Sequence, residues 1–249
     1  MDRSKEPVVA LPGRWVAWCI HLYTATGVLW ALLALDSIFD ERYAAAYLWM
    51  GVAMFVDASD GPLARRFRVS EVLPEIDGAL LDNIVDYLTW TFVPIILLWQ
   101  SDWLLDPAWL WCCMALLGSV FAFVHRDAKV TNEGFFRGFP SYWNVFAFYV
   151  DIAYRTLGPA FQGWGPWIVS VMVAILAVMS VMPIYFAYPN RIKTHRGFFV
   201  GGGLVWSVLC FAMVVVWPNV PLWLFLVSLI YPIGYTFLSI RLSVGLRAR

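Results

Sequence analysis

Charged side chains are scarce in this chain of 249 residues. Lysine and arginine number 17, as do aspartate and glutamate, and together they form 14% of the sequence, against roughly 25% in an average soluble domain. A soluble globule of this size could not cover its surface with polar groups. Disorder is excluded because hydrophobic residues reach 61%, and the zero net charge argues against nucleic-acid binding. What remains is an integral membrane protein.

Cysteine and histidine are also few, and neither residue type shows a spacing typical of a metal site. The four cysteines lie inside apolar runs, where a free thiol packs as a small apolar group. The histidines at positions 21, 125 and 195 are far apart, and we interpret them as buried or interfacial side chains. No metal site built on sulfur or imidazole is predicted.

Apolar runs of about 20 residues, the length of a membrane-crossing helix, recur along the whole chain. They cover residues 15–35, 43–61, 78–99, 107–125, 141–157, 165–187, 198–217 and 221–240. Short loops connect them. The sequence therefore predicts one all-α transmembrane domain over residues 1–249 with eight helices. Pro62 lacks a backbone donor and should kink or end the second helix.

The positions of lysine and arginine predict the orientation, because positive residues accumulate in cytoplasmic loops. Only Arg42 and Arg155 fall on one side of the predicted bundle. The other fifteen fall on the opposite side: Arg3, Lys5, Arg14, Arg65, Arg66, Arg68, Arg126, Lys129, Arg137, Arg191, Lys193, Arg196, Arg241, Arg247 and Arg249. Both termini are therefore expected in the cytoplasm.

Acidic residues interrupt the apolar pattern between residues 57 and 90. Asp57 and Asp60 are three residues apart, and Asp82 and Asp86 are four apart, so each pair shares one helix face. Carboxylates that converge there would repel each other, and each charge inside a membrane helix costs about 2.5–3.5 kcal/mol. Divalent cations relieve both penalties, and a set of oxygen ligands favours Mg²⁺ or Mn²⁺.

Two glycines and one arginine accompany these aspartates. At Gly61 and Gly78 either a bulky ligand can approach the backbone or two helices can touch. The guanidinium of Arg65 offers a fork of donors that suits phosphate. Carboxylates, cations, glycine and arginine together describe a site for a metal-bound pyrophosphate. The alternative, a solvated polar loop, does not explain two aspartates on one stripe of an apolar helix.

The order Asp57-x-x-Asp60-Gly61-x-x-Ala64-Arg65, followed by Gly78-x-x-x-Asp82-x-x-x-Asp86, resembles the signature of the CDP-alcohol phosphotransferase family, and all eight defining positions are present. Twelve residues separate the two halves, where most members have eight. This longer spacing, the eight spans and the segments 21–25 and 136–144 are similar to the choline-using bacterial members of the family.

The resemblance implies roles for the acidic residues. Asp57, Asp60 and Asp82 would hold a pair of divalent ions, Mn²⁺ or Mg²⁺, with Asp86 near one of them. Asp86 would also be the general base that takes the proton of the alcohol as its oxygen attacks phosphorus and CMP leaves.

The resemblance also implies a nucleotide pocket and a membrane location. The pocket for the cytidine nucleotide would be lined by Gly61, Ala64, Arg65, Gly78 and, from the first span, Thr24. The protein would act as a homodimer in the bacterial inner membrane, with its active site at the cytoplasmic face.

The implied reaction transfers the phosphatidyl group of CDP-diacylglycerol to choline and yields phosphatidylcholine and CMP. Choline carries a quaternary ammonium without N–H donors, so its recognition relies on aromatic faces. Tyr142 and Trp143, which open the fifth span, are the candidates for this role. Serine, inositol phosphate and glycerol phosphate are alternative acceptors. An ion-coupled transporter is the alternative function, but such proteins place coupling charges near the membrane midplane.

One further acidic residue, Asp151, lies inside the fifth span and outside the signature. Arg155 follows four residues later, on the same helix face. The sequence therefore predicts a buried ion pair between these two side chains.

Overall fold

The computed structural model describes residues 13–125, 129–130, 134–189, 192 and 194–247, and most of them are helical. The helices are α1 (Arg14–Ala25), α2 (Gly27–Phe39), α3 (Tyr43–Arg66), α4 (Val69–Val72), α5 (Gly78–Asp86), α6 (Val93–Gln100), α7 (Ala108–Val124), α8 (Trp143–Thr156), α9 (Pro159–Val181), α10 (Gly203–Val215) and α11 (Leu222–Arg247). Two π-helical segments, Tyr87–Phe92 and Gly197–Gly202, precede α6 and α10. The strands are β1 (Lys129–Val130), β2 (Phe135–Arg137) and β3 (Tyr185–Ala187).

Among the described residues, five helical segments are long and apolar enough to cross a bilayer. They are Arg14–Phe39, Gly78–Gln100, Phe161–Val181, Gly197–Val215 and Leu222–Ser243. Large apolar side chains on these segments, such as Val208 and Ile230, lie exposed as contact with lipid requires. The prediction of a helical, multi-pass membrane protein is confirmed at this level.

The remaining predicted spans are also helical, but they are shorter or more polar. α7 is apolar and 17 residues long, α8 has only 14 residues, and α3 carries the charged residues of the signature. Several basic residues that the predicted orientation depends on lie outside the described residues, namely Arg3, Lys5, Arg126, Arg191, Lys193 and Arg249.

Helix α3 continues through Pro62 to Arg66, so the predicted end of the second span at residue 61 is wrong. Proline lacks the N–H that would bond the carbonyl of Ala58, but this removes a single helical hydrogen bond. Alanine and arginine, both strong helix formers, follow and support the last turn. The first half of the signature therefore lies on one helix.

The third span is helical over the predicted range but is not a uniform α-helix. It ends as α5 at Asp86, widens into the π-helical segment Tyr87–Phe92, and resumes as α6. Pro94 at the start of α6 lacks the N–H that would bond the carbonyl of Trp90, which favours the wider turn. Such π-turns occur frequently at functional sites, and here the turn begins directly after a signature residue.

A small antiparallel sheet with the order β1-β2-β3 joins two of the loops, so the all-α prediction is incomplete. In its register, Phe136 of β2 lies opposite Phe186 of β3. The sixth predicted span, which extended to residue 187, ends as α9 at Val181. The cause is Pro183, which disfavours helical geometry at the residue before it, and the aromatic residues that follow, which favour a strand.

The predicted ion pair between Asp151 and Arg155 is confirmed within α8. Nε of Arg155 lies 2.6 Å from Oδ1 of Asp151, whose side chain is only 1% exposed. The indole N–H of Trp217 donates to the other carboxylate oxygen at 2.7 Å, and the guanidinium lies 4.2 Å from the centroid of that indole ring. The protein thus supplies Asp151 with partners for both oxygens.

Candidate metal and nucleotide site

A cavity of about 530 Å³ lies between α1, α3 and α5 and is bordered by the loops that carry β2 and β3. All eight signature positions line it: Asp57, Asp60, Gly61, Ala64, Arg65, Gly78, Asp82 and Asp86. Thr24 of α1 and Tyr142 at the start of α8 also line this cavity. The structure therefore brings together ten of the eleven residues that the sequence analysis named as site candidates.

Asp57, Asp82 and Asp86 form an acidic cluster in the wall of the cavity. Asp82 and Asp86 are one turn apart on α5, and Asp57 faces them from α3, so that one oxygen of each lies within 4.8 Å of the others. Two carboxylates about 4 Å apart repel each other by on the order of 4 kcal/mol near a protein surface. A donor set of three partly buried carboxylates fits a hard divalent cation such as Mg²⁺ or Mn²⁺.

Asp60 lines the same cavity but does not belong to this group of three. Its side chain is more deeply buried than those of the cluster, with a residue exposure of 5%. The structure thus places Asp60 at the site while distinguishing it from the three carboxylates that approach one another.

The two signature glycines lie at close approaches. A Cβ atom on Gly78 would lie 3.0 Å from Cε1 of His21, so this glycine lets α5 pack against α1. A Cβ atom on Gly61 would lie 3.1 Å from a guanidinium nitrogen of Arg65, one turn later on α3. Both glycines also line the cavity. Gly78 can therefore allow the two helices to pack closely and also leave room for a ligand.

Helix α5 begins at the cavity because Asp77 caps it. The carboxylate of Asp77 accepts hydrogen bonds from the backbone N–H groups of Ala79 at 3.1 Å and Leu80 at 3.0 Å. The cap fixes Gly78 as the first residue of α5, and the spacing of four then places Asp82 and Asp86 on the same face.

Tyr142 and Trp143 do not share a surface, although the sequence analysis paired them. Tyr142 lines the cavity, and its ring centroid lies 5.5 Å from that of Trp90. Trp143 is fully buried, packs 5.4 Å from Phe139, and donates its indole N–H to Ser119 at 2.8 Å. Neighbouring residues at a helix start point in different directions, so the placement of Trp143 favours a packing role and not an acceptor contact.

A second cavity of about 270 Å³ adjoins the first and shares Trp90 and Tyr142 with it. Its other aromatic residues have their polar edges bonded within the protein. Tyr231 donates to the carbonyl of Phe199 at 2.8 Å, Tyr235 donates to the carbonyl of Ala187 at 2.7 Å, and the indole of Trp206 donates to the hydroxyl of Tyr149 at 2.9 Å. Aromatic rings with satisfied edges offer a ligand mainly their faces.

The acidic residues of the loop between α3 and α5 are separate from the cluster. Nε of Arg68 donates to Glu71 at 2.8 Å, and this hydrogen bond lowers the pKa of the Glu71 carboxyl. Glu75 pairs with Arg14 of α1. Both are exposed surface ion pairs, as expected for a solvated loop.

His21 is among the residues at the cavity that the sequence analysis did not name as site candidates. It was interpreted as a buried or interfacial side chain, yet it lines the cavity beside Gly78. The available signal was its position three residues before Thr24, on the same face of α1.

Comparison with known proteins gives a consistent result. The sequence profile described as CDP-alcohol phosphatidyltransferase matches residues 19–182, about two thirds of the chain. A protein of Pseudomonas aeruginosa named phosphatidylcholine synthase is 34% identical over 203 residues, covering 81% of this chain and 81% of that protein. Proteins with the same name from Mesorhizobium japonicum (34% over 207 residues, 83% of this chain and 73% of that protein) and Rhizobium johnstonii (32% over 224 residues, 88% of each) are similar to it as well.

Proposed function

Because this chain belongs to the CDP-alcohol phosphatidyltransferase family, we propose that it transfers the phosphatidyl group of CDP-diacylglycerol to choline and releases CMP. The observation that carries the proposal is that all eight signature positions line one cavity, where three of the carboxylates lie close together. The names of the similar proteins support choline as the acceptor.

The transfer of the phosphatidyl group would take place at the acidic cluster. The hydroxyl oxygen of the acceptor forms a bond to the phosphorus of the phosphatidyl group, and the bond from that phosphorus to the oxygen of CMP breaks. Asp86 accepts the proton that the hydroxyl releases. Asp57, Asp60, Asp82 and Asp86 would hold divalent cations, Mg²⁺ or Mn²⁺, which neutralise charge on the pyrophosphate when bound.

The nucleotide would bind beside Arg65 and the small residues of the signature. Arg65 lies one turn beyond Gly61 and offers donors to a phosphate, while Gly61, Ala64 and Gly78 leave room for the nucleotide beside the two helices. The hydroxyl of Thr24 makes only a long bond of 3.4 Å to the carbonyl of Ile20, which favours a second contact with the ligand.

We assign the acceptor to the junction of the two cavities, at Tyr142 and Trp90. A trimethylammonium group has no hydrogen-bond donor and binds to aromatic faces. The second cavity supplies such faces, because Tyr231, Tyr235 and Trp206 bond their polar edges to the protein. Tyr142 also lies near the acidic cluster, whose charge favours a cation.

We propose the orientation with both termini in the cytoplasm of a bacterial cell, with eight helical segments crossing the inner membrane and the cavity at the cytoplasmic face. Two basic residues support this orientation, since Arg66 at the end of α3 and Arg68 just after it lie next to the half of the signature that α3 carries.

The reaction is tested by measuring CMP release from CDP-diacylglycerol by the purified protein with choline, serine, inositol phosphate or glycerol phosphate. We expect release with choline in the presence of Mg²⁺ or Mn²⁺ and none after chelation. Asp102→Asn, which changes an exposed aspartate outside the cavity, is the matched control and should behave as the unmodified protein. Absence of CMP release with every acceptor and both ions would overturn the enzyme assignment. Faster turnover with glycerol phosphate than with choline would overturn only the assignment of choline as the acceptor.

The acceptor site is tested with 3,3-dimethylbutanol, the neutral analogue of choline in which carbon replaces nitrogen. Cation–π binding predicts a preference for choline that Tyr142→Leu reduces by about threefold to tenfold, in line with 0.5–1 kcal/mol or more per ring contact. Tyr142→Phe, which keeps the ring, serves as the control. An unchanged preference in Tyr142→Leu would remove Tyr142 from the acceptor site.

A further inference from the structure

His21 lies on the face of α1 that is turned into the protein. This face also carries Ala17, Ile20 and Thr24, and all four are buried. His21 is 8% exposed, and what remains accessible borders the cavity of the signature residues. The signature does not include this histidine, and the proposed reaction assigns it no role.

The imidazole is polar but incompletely bonded. Its Nε2 atom is buried and has no hydrogen-bond partner among the residues that the structure describes. Most buried side-chain polar atoms in folded proteins do have a partner, since leaving one unpaired costs free energy. A buried, unpaired nitrogen beside a ligand cavity points to a partner that arrives with the ligand.

The position of the ring indicates which part of the ligand it would contact. Its Cε1 atom lies 3.0 Å and its Nδ1 atom 3.6 Å from the place that a Cβ atom on Gly78 would occupy. A half-turn of the ring exchanges Nε2 with Cε1, so a ring nitrogen faces the start of α5 in either orientation. Thr24 and Ala79 line the cavity around it, whereas the acidic cluster begins one turn further along α5.

We propose that His21 is a nucleotide-binding residue, whose ring N–H donates a hydrogen bond to an oxygen of the CMP portion of CDP-diacylglycerol. This inference rests on the proposed function. Imidazole suits the role because its ring N–H can donate to an oxygen of the ligand in either tautomer. Gly78 then has a second purpose, since a Cβ atom at this position would lie 3.0 Å from Cε1 of the ring and would crowd it.

The test compares His21→Phe and His21→Gln with the unmodified protein, using CMP and cytidine as probes. His21→Phe keeps a flat ring but removes the donor, and we expect it to weaken CMP binding about tenfold, as loss of one neutral hydrogen bond does. Its Michaelis constant for CDP-diacylglycerol should rise while that for choline stays constant. His21→Gln keeps a donor and should recover most of the loss. A parallel loss for cytidine would place the bonded oxygen on the nucleoside, and an effect on CMP alone would place it on the phosphate.

Thermal unfolding separates a binding role from a purely structural one, because loss of a structural residue would lower the unfolding temperature. The binding role predicts that, without nucleotide, His21→Phe unfolds at the same temperature as the unmodified protein or at a higher one, because a buried unpaired nitrogen is removed. The stabilisation caused by CMP should shrink in the same variant. His195→Gln, which changes an exposed histidine outside the cavity, is the control.

The outcomes separate this inference from the proposed function. If the unmodified protein binds CMP and His21→Phe binds it equally well, the inference is wrong while the reaction stands. A rise in the Michaelis constant for choline alone would also overturn it, because His21 would then serve the acceptor. If His21→Phe does not fold, His21→Leu takes its place: with normal stability, a weaker affinity for CMP supports the donor role and an unchanged affinity contradicts it. No CMP binding and no CMP release by the unmodified protein would refute the proposed function itself.

Discussion

Asp151 and the acidic cluster of Asp57, Asp82 and Asp86 are carboxylates on helices of the same apolar chain, but the protein surrounds them differently. Asp151 contacts the guanidinium of Arg155 and the indole of Trp217. In the cluster, one oxygen of each of the three carboxylates lies within 4.8 Å of the others, so three like charges are close together. A buried carboxylate that is matched by a cation and a donor holds helices together. Three carboxylates that approach one another suit a bound cation, which is the arrangement expected of a binding site.

The comparison therefore predicts opposite effects for the same chemical change, aspartate to asparagine, in the two regions. In the cluster the change should lower activity and leave stability intact. At Asp151 it should lower stability and leave the activity of the folded protein intact.

The largest effect is expected at Asp86. Asp86→Asn replaces the proposed base with an amide that cannot accept a proton, so turnover should fall by about 10²–10⁴-fold, the contribution typical of general base catalysis. Binding of CMP should persist, and the unfolding temperature should not fall. Steady-state CMP release, CMP binding and thermal unfolding measure the three quantities. Near-normal turnover in this variant would remove Asp86 from the base role.

The second effect is a loss of stability at Asp151. Asp151→Asn leaves the guanidinium of Arg155, whose side chain is 28% exposed, without its charged partner. Removing one member of a fully buried pair costs about 3–5 kcal/mol, and a smaller loss is expected here because water reaches part of the guanidinium. Thermal unfolding in detergent should show this loss, while turnover per folded molecule stays near that of the unmodified protein. The double change Asp151→Asn with Arg155→Gln should recover part of the stability. A fall in turnover without a fall in unfolding temperature would contradict a structural role.

The third effect concerns cations and stability. Mg²⁺ or Mn²⁺ at 100 times its dissociation constant should stabilise the unmodified protein by about 2.7 kcal/mol through binding to the folded state alone. Asp82→Asn should abolish most of this stabilisation. Without cations the same variant should unfold at about the same temperature as the unmodified protein. An equal response to cations in both proteins would separate the cluster from metal binding.

The sequence predicted what depends on regular helical spacing. Spacings of three and four residues correctly placed the signature residues on facing helices around one cavity, and the i, i+4 spacing correctly predicted the pair of Asp151 and Arg155. Helix geometry fixes these relations locally, so no knowledge of distant contacts is needed.

What the sequence missed depends on contacts between distant segments. The strand at Tyr185–Ala187 forms only because β2 is beside it, and the second partner of Asp151, Trp217, comes from 66 residues away. The burial of Trp143 and the cavity position of His21 likewise depend on how helices pack. Local patterns are similar for a packed and a ligand-facing aromatic or histidine, so tertiary structure decides between them.

The smallest effect is expected at the pair of Arg68 and Glu71, which is the exposed counterpart of the pair at Asp151. A hydrogen bond from Arg68 lowers the pKa of Glu71, so its stabilisation is fully present above the ordinary pKa of glutamate and is lost as the pH falls through the lowered value. Water and salt screen such a pair, and most exposed pairs contribute little. Glu71→Gln should therefore change the unfolding temperature at neutral pH far less than Asp151→Asn does. In 1 M salt, Glu71→Gln and the unmodified protein should unfold at the same temperature. Most of the loss in Asp151→Asn should persist in the same salt because the carboxylate of Asp151 is buried. Equal losses in the two variants, or equal sensitivity to salt, would show that burial does not determine what a carboxylate contributes in this protein.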